Sequence, residues 1–373
     1  MKLMKTPRGM DLEITGQCNL RCSYCSHFGS DGDVDRDLTT DEWLTFFEEL
    51  GRHAVLDVCL QGGEPFIRED FKDIVEGIVL NRMRFSILSN GTLITDETAA
   101  FLASTGRCDS VQVSIDGSMP GSHDSFRGEG TFHRAVAGLN LLLKHGIAAK
   151  VRVTVHRRNV TDLDGIAELL LEDLGLPGFS TNSAVNLGLC RNNADQVQLT
   201  VDERSLAMRR LCKLATKYPG RITANAGPLA EARGWFNMEL ARKKKENGGR
   251  VGGYLTGCSG PMARLGVRAD GTLVPCVQVP GMELGRINRD RVDEIWLNHP
   301  ELNRFRRRSS IALTDFDYCR NCEYIDYCTG SCPALIHSGL NDLYHPCPDS
   351  CYKRFLEAGG ELPDEDLLMH SGA

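Results

Sequence analysis

The chain has 373 residues, 41% of them hydrophobic, with 43 basic against 50 acidic side chains and a net charge of −7. Such mild acidity argues against a general nucleic-acid or membrane-surface binder, and no stretch approaches the ~18 consecutive apolar residues of a membrane-spanning helix. The length suits two domains, and "MKLMKTPRGMDLEITGQ" at the N-terminus lacks the apolar run of a signal peptide, so a cytoplasmic location with reduced thiols is expected.

In chain order, the first β-type run is "MDLEIT" at 10–15, and "CNLRCSYC" follows it with Cys18, Cys22 and Cys25. "LTTDEWLTFFEELG" at 38–51 reads as an amphipathic helix that opens on a Thr39–Glu42 capping pattern and stops at Gly51. The run "VLDVCLQ" at 55–61 ends in "GGEP", and "RFSILSN" at 84–90 leads into "SNGT". A helix over 95–106, the run "SVQVSID" at 110–116, a helix over 131–146, and the runs "AKVRVTV" at 149–155 and "STNSAVNLG" at 180–188 complete the series. Strand–helix alternation implies a parallel sheet with crossover helices. Six strands do not close an eight-stranded barrel, so an α/β fold with a partial, TIM-like (β/α)6 barrel is expected. In such folds chemistry gathers where strands end, and the cysteines, "GGEP", "SNGT" and "SIDG" all stand at strand exits.

The strand–helix part of the chain is expected over 1–225. Residues 226–256, with "RKKKENGGRVGG", read as a connection whose lysines form a solvated face. A cysteine-rich domain is expected over 257–356, with a β-hairpin in "VRADGTLVPCVQV" turning at Asp270-Gly271, and an acidic, frayed tail over 357–373.

Fifteen cysteines in a reducing compartment call for metal or cluster ligation rather than disulfides. Cys59, Cys108, Cys190 and Cys212 are scattered and read as small buried hydrophobes. The other eleven fall in two groups. Three thiols at the first site are one short of a structural zinc site, but on a 4Fe–4S cube they leave one iron open to a small molecule.

The C-x3-C-x2-C motif after a first strand resembles the signature of the radical S-adenosylmethionine (SAM) superfamily. "QGGEP" at 61–65, "SNGTLIT" at 89–95 and "VQVSIDG…HDSFRG" at 111–128 match it in order and position. The resemblance implies that Cys18, Cys22 and Cys25 hold the cube and that its open iron binds SAM, whose reductive cleavage yields a 5′-deoxyadenosyl radical. It also implies SAM-binding roles for Tyr24, Gln61, Gly62, Gly63, Glu64, Asn90, Ser114, Arg127 and Leu187. Gly62 and Gly63 would permit close backbone approach, and Glu64 would accept from the SAM ammonium.

The later spacing, Cys258, Cys276, then C-x2-C-x5-C-x3-C over Cys319, Cys322, Cys328 and Cys332, then Cys347 and Cys351, is similar to the SPASM extension with two auxiliary 4Fe–4S clusters. Cys258, Cys276 and Cys332 would serve the inner cluster. Cys319, Cys322 and Cys328 would serve the outer one, completed by Cys347 or Cys351. No cysteine stands in "RVGGYLTG" before Cys258, so the inner cluster is expected to have an open iron unless a late cysteine is recruited.

SPASM relatives mostly modify peptides and proteins, so the expected function is hydrogen abstraction from a peptide or protein residue, giving a crosslink, oxidation or epimerisation. The alternatives are an anaerobic sulfatase maturase, disfavoured by Val277 directly after Cys276, a tetrapyrrole enzyme of haem synthesis, disfavoured by the full cysteine set, and a plain iron–sulfur electron carrier. An external reductant such as a flavodoxin or ferredoxin is implied. The cluster motif starts too early to leave room for a leader-binding domain, so a separate leader-peptide-binding protein is a possible partner. The basic "RFRRRSS" at 304–310 reads as a solvated helix, and Cys190 as a packed thiol rather than a hydrogen donor.

Overall fold

Alternation in the first strand buries Met10, Leu12 and Ile14, and the same pattern buries Val58 and Leu60, Phe85 and Ile87, and Val111 and Val113 in the next three. The resulting strands are β1 (Gly9–Thr15), β2 (Asp57–Gly62), β3 (Arg84–Ser89) and β4 (Cys108–Ser114). The computed structural model describes residues 3–28, 36–244, 252–256, 258–340 and 342–371. It divides into two units, one of Met1–Ile115, Arg127–Lys150 and Cys258–Arg306, the other of Asp116–Phe126, Val151–Gly257 and Arg307–Ala373.

In the first unit β1 to β4 are parallel, each beside the next in sequence. The helix Thr40–Arg52 follows β1 with its capping box formed: Thr39 accepts from the Glu42 amide and Glu42 accepts from the Thr39 amide. Its buried face presents Trp43, Phe46, Phe47 and Leu50. The expected hairpin is present as β8 (Arg264–Val267) and β9 (Thr272–Val274), antiparallel, with Gly271 at φ +91° in the turn. Short β10 (Gly285–Arg286) pairs with β9. The sequence did not announce where the hairpin docks: β8 lies parallel to β1, with Gly9 opposite Arg264 and Leu12 opposite Val267. Arg264 fastens the start of β1, β2 and β8 by donating to Asp11 (2.9 Å), Asp57 and the Met10 carbonyl (2.9 Å).

The second unit carries β5 (Ala149–Val155, from Val151 on), β6 (Phe179–Ser183) and β7 (Ile222–Ala224), parallel and in that order. All six expected strands exist. The last is shorter than expected, since the chain after Ser183 turns into a helix over Gly188–Asn192. Much of the 226–256 stretch is helical too, over Pro228–Lys244, with Leu229, Ala232, Trp235 and Phe236 buried at helical spacing. Lys243 pairs with Glu365 at 3.1 Å, while residues 245–251 of the basic and glycine-rich run lie outside the described residues.

The tail is docked rather than frayed. Helices Tyr352–Glu357 and Glu365–His370 fold back, Tyr352 and Phe355 stack on Trp235, and the Glu361 amide donates to Ser205 at 3.0 Å. Nor is "RFRRRSS" a solvated helix throughout. Arg306 stacks over Trp296 at 4.2 Å, and Arg308, in a tight turn over Arg307–Ser310, is only 1% exposed. Among the described residues no helix is long and apolar enough to cross a membrane.

Candidate active site

At the C-terminal edge of the first unit's parallel strands, the loop after β1 carries Cys18, Cys22 and Cys25. The loop turns tightly, the Cys25 amide donating to the Cys22 carbonyl at 3.0 Å. Cys18 accepts from the Leu20 amide at 3.4 Å. Burial pushes its thiol up, with the charges of Glu64 and Cys25 adding to the effect. A cation bound among the three sulfurs would reverse that sign, as expected of a cluster-ligating set.

Gly62 and Gly63 press the β2 exit directly on this loop. Gly62 has φ +125°, and a Cβ on it would lie 2.2 Å from the Thr15 carbonyl oxygen. A Cβ on Gly63 would lie 2.0 Å from the Gln17 carbonyl oxygen. The approach is locked by two backbone bonds, Gly63 to Thr15 (2.9 Å) and Glu64 to Gln17 (2.8 Å). Gln61 stands beside Glu13 across the β1–β2 pair.

Glu64 is fully buried, and its oxygens accept from Ser89 Oγ (2.8 Å), the Asn90 amide (2.7 Å) and the Phe66 amide (3.3 Å). It therefore latches the β2 exit to the β3 exit. Burial drives its pKa up to about 7, against the pull of those donors and of Arg127. Asn90 continues the chain of contacts: its side-chain Nδ2 donates to Asn19 Oδ1 (2.9 Å) and stands 3.8 Å from Cys18 Sγ, while its Oδ1 accepts from the Thr92 amide (2.9 Å). Arg127, nearly buried, stacks its guanidinium 5.3 Å from the centre of the Tyr24 ring. Ser114 is the last, half-buried residue of β4. Leu187 stands in the second unit, buried, just ahead of the helix Gly188–Asn192.

Three positioning residues escaped the sequence reading. Asp37 accepts from Thr15 Oγ1 (2.5 Å) and from the Gly16 amide (2.7 Å), holding the chain just ahead of Cys18. Arg68 spans the Ile14 and Leu38 carbonyls (2.8 and 3.1 Å) and forks onto Asp70. His27 Nε2 lies 3.1 Å from the Gly16 carbonyl oxygen. All three sit in irregular segments, where no periodicity marks which side chain turns inward.

Of the later cysteines, Cys258 and Cys276 belong to the first unit and the other six to the second. Cys319, Cys322, Cys328 and Cys351 form one electrostatic group. Burial raises Cys319 to about 11, with Cys328, Cys351 and Cys322 adding to it, and Cys328 likewise feels Cys351 and Cys322. A cavity of about 390 Å³ opens among Cys319, Cys328, Cys347 and Cys351, with Phe316, His345 and Arg354 on its wall. Cys347 is also pushed up by burial, with hydrogen bonds from Ser350 opposing it and the charge of Asp349 adding to it. Its amide donates to Gly330 at 2.9 Å.

A second cavity, of about 150 Å³, lies at the exits of β5 and β6. Val155, Val185, Val197, Leu199, Ala226 and Leu335 make it largely apolar, with Ser183, Asn186 and Gln198 as polar points. The Arg204–Glu231 ion pair borders it, and Arg204 also donates to the Asp349 carbonyl at 2.8 Å. Cys190 is wholly buried in the Gly188–Asn192 helix.

Residues 12–170 match the model of the radical SAM superfamily, and residues 258–323 match the SPASM iron–sulfur cluster-binding domain. AdoMet-dependent heme synthase of Methanosarcina barkeri is 28% identical over 94% of this chain and 98% of its own. Mycofactocin maturase MftC of Mycolicibacterium smegmatis is 38% identical over 170 residues, 43% of each chain. PqqA peptide cyclase of Rhizobium meliloti is 24% identical over 89% of this chain and 84% of its own. Among solved structures, Streptococcus suis SuiB bound to precursor peptide SuiA superposes with a TM-score of 0.70 at 14% identity, covering 94% of this chain and 77% of that one. AdoMet-bound anSMEcpe superposes at 0.67 and 17% identity, covering 98% and 99%. These likenesses show the same fold, a partial TIM-like barrel with a cysteine-rich C-terminal domain. The two domains imply 4Fe–4S clusters and SAM as cofactors. With thiol loop, glycine contacts and cysteine-rich region all in place, the chain is an enzyme that carries a radical SAM domain over 12–170 and a SPASM iron–sulfur cluster-binding domain over 258–323.

Proposed function

We propose that the chain abstracts a hydrogen atom from a residue of a peptide, leading to a crosslink, an oxidation or an epimerisation. Cys18, Cys22 and Cys25 hold the SAM-binding cluster, which with SAM supplies a 5′-deoxyadenosyl radical once reduced. Gly62 and Gly63 fix the β2 exit against the thiol loop, Glu64 and Asn90 couple the β2 and β3 exits to it, and Arg127 steadies Tyr24. Gln61, Ser114 and Leu187 complete the SAM-contacting set. In the second unit Cys319, Cys322, Cys328 and Cys351 serve the outer auxiliary cluster: the charges of Cys328, Cys351 and Cys322 bear on Cys319, and those of Cys351 and Cys322 on Cys328. Cys258, Cys276 and Cys332 serve the inner one.

The observation that carries the peptide reading is the cavity at the exits of β5 and β6. Its volume of about 150 Å³ falls below the ~300–1,000 Å³ of pockets that enclose drug-sized ligands. An aliphatic or aromatic side chain of a peptide fits such a space. PqqA peptide cyclase and SuiB, solved bound to precursor peptide SuiA, carry peptides in their names or bound to them. A tetrapyrrole reading has its own support in the near-full-length match to the Methanosarcina barkeri heme synthase.

One experiment separates the two. The anaerobically reconstituted chain is given SAM and dithionite with either iron-coproporphyrin III or the peptide products of short reading frames beside its gene. With the reaction run in D2O, the peptide reading predicts a change confined to a peptide: loss of hydrogen mass for a crosslink or oxidation, or a carbon-bound deuterium for an epimerisation. A decarboxylated porphyrin, with every peptide unaltered, would replace it by the tetrapyrrole reading.

A further inference from the structure

The basic run at 304–310 hides one residue that its neighbours do not resemble. Arg308 is 1% exposed, whereas Arg307 beside it and Arg304 before it are open to solvent. Its guanidinium donates to four backbone carbonyls: Leu343 (2.6 Å), Thr256 (2.9 Å), His345 (3.1 Å) and Ser331 (3.5 Å). Ser331 directly precedes Cys332, and His345 stands two residues before Cys347. The same segments are tied by backbone bonds, Gly253 to the Cys328 carbonyl (3.0 Å), Thr256 to Thr329 (2.6 Å) and Cys347 to Gly330 (2.9 Å). One side chain therefore joins three backbone segments: the one that carries Cys328 and Cys332, the one that leads to Cys347, and the one around Thr256 that is bonded to the first.

A guanidinium is planar, permanently charged and weakly hydrated, so it suits a buried multi-carbonyl junction that a lysine could not fill. Its charge is also fixed in place, in surroundings where water screens little. A cluster gains one negative charge on reduction, and burial and local dipoles set its potential. A cation held one residue from a ligating thiolate favours the reduced form.

We propose that Arg308 is a positioning residue of the auxiliary clusters that fixes the thiol-bearing loops and, through its charge, raises the cluster potential. The proposal rests on Cys328 and Cys332 being cluster ligands.

The test uses the full chain with Cys18, Cys22 and Cys25 replaced by Ala, so that only auxiliary clusters report. Iron content and circular dichroism are measured for the Arg308, R308K and R308M forms, with midpoint potentials from titrations followed by electron paramagnetic resonance. R308M is expected to keep its secondary structure and to need a potential lower by a tenfold or greater change in the reduction equilibrium, about 59 mV for one electron. R308K, which keeps charge but not the fork, is expected to stay closer to the Arg308 value while losing part of its iron. Equal potentials for Arg308 and R308M would overturn the electrostatic role. If R308M holds no iron, R308K decides: clusters near the Arg308 potential support the proposal, and loss of all iron there too overturns it in favour of plain packing. Absence of any auxiliary signal with Arg308 intact would instead defeat the ligand assignment itself.

Discussion

Gly63→Ala is the sharpest probe of the site. The added Cβ would lie 2.0 Å from the Gln17 carbonyl oxygen, 2.4 Å from its carbon and 3.1 Å from Cys18 Cβ. Real Cβ contacts stay beyond 3.0 Å, so the backbone at Gln17 must retreat by at least 3.0 − 2.0 = 1.0 Å. Cys18 is the next residue and moves with it. The retreat also strains the bonds from Gly63 to Thr15 and from Glu64 to Gln17, at roughly 1 kcal/mol each, or about 2 kcal/mol together. A misplacement of about 1 Å near reacting atoms costs on the order of a hundredfold in rate. The assay is 5′-deoxyadenosine formation from SAM under dithionite, with iron content and urea unfolding measured beside it. Gly121→Ala is the control: nothing lies within 4 Å of its Cβ position, so it is expected to be neutral or to stabilise by about 0.4–1 kcal/mol. A Gly63→Ala enzyme with wild-type rate and iron would refute the close-approach argument outright.

Three further outcomes are expected. Glu64 has its folded pKa raised from 4.5 to about 7, so the native state binds the extra proton and stability falls as pH rises across that window. The difference of 2.5 units corresponds to roughly 3 kcal/mol, and urea unfolding of the iron-free chain at pH 5 and pH 8 should show the slope in wild type and lose it in Glu64→Gln. Cys351→Ala should lose about four irons per reconstituted chain while Cys347→Ala keeps the outer cluster; the opposite pattern would exchange their roles. Thr39→Ala removes one arm of the capping box and should cost about 1 kcal/mol in urea unfolding, with little added by Glu42→Ala on top, since the two arms act together.

Where the sequence spoke clearly, a short-range rule was at work. Thr39 and Glu42 are three residues apart, Asp270 and Gly271 end a four-residue turn closed by the Gly271 amide on Arg268, and alternation in "AKVRVTV" gave a strand with the bounds it has in the fold. The helix Pro228–Lys244 is obscured in the sequence by its basic end and the glycines that come after it, although Leu229, Ala232, Trp235 and Phe236 hold helical spacing. The thiol motif named the site, but what holds it did not show. Asp37, Arg68 and Asn19 reach it across loops, and only the folded chain brings them to Thr15, Ile14 and Asn90. Arg308 shows the same limit from the other side. A run of four basic residues in five positions signals solvent, and nothing in the run says which one is swallowed.

The pairing of β8 with β1 has a consequence for the nascent chain. Gly9 meets Arg264 and Leu12 meets Val267, so one edge of the first strand waits some 250 residues for its neighbour. At about 5–20 residues per second, translation leaves that edge open for roughly 10–50 s. An unpaired apolar strand edge invites pairing with other chains. The protein's most exposed moment therefore falls during synthesis, and it ends only when the cysteine-rich region begins to emerge.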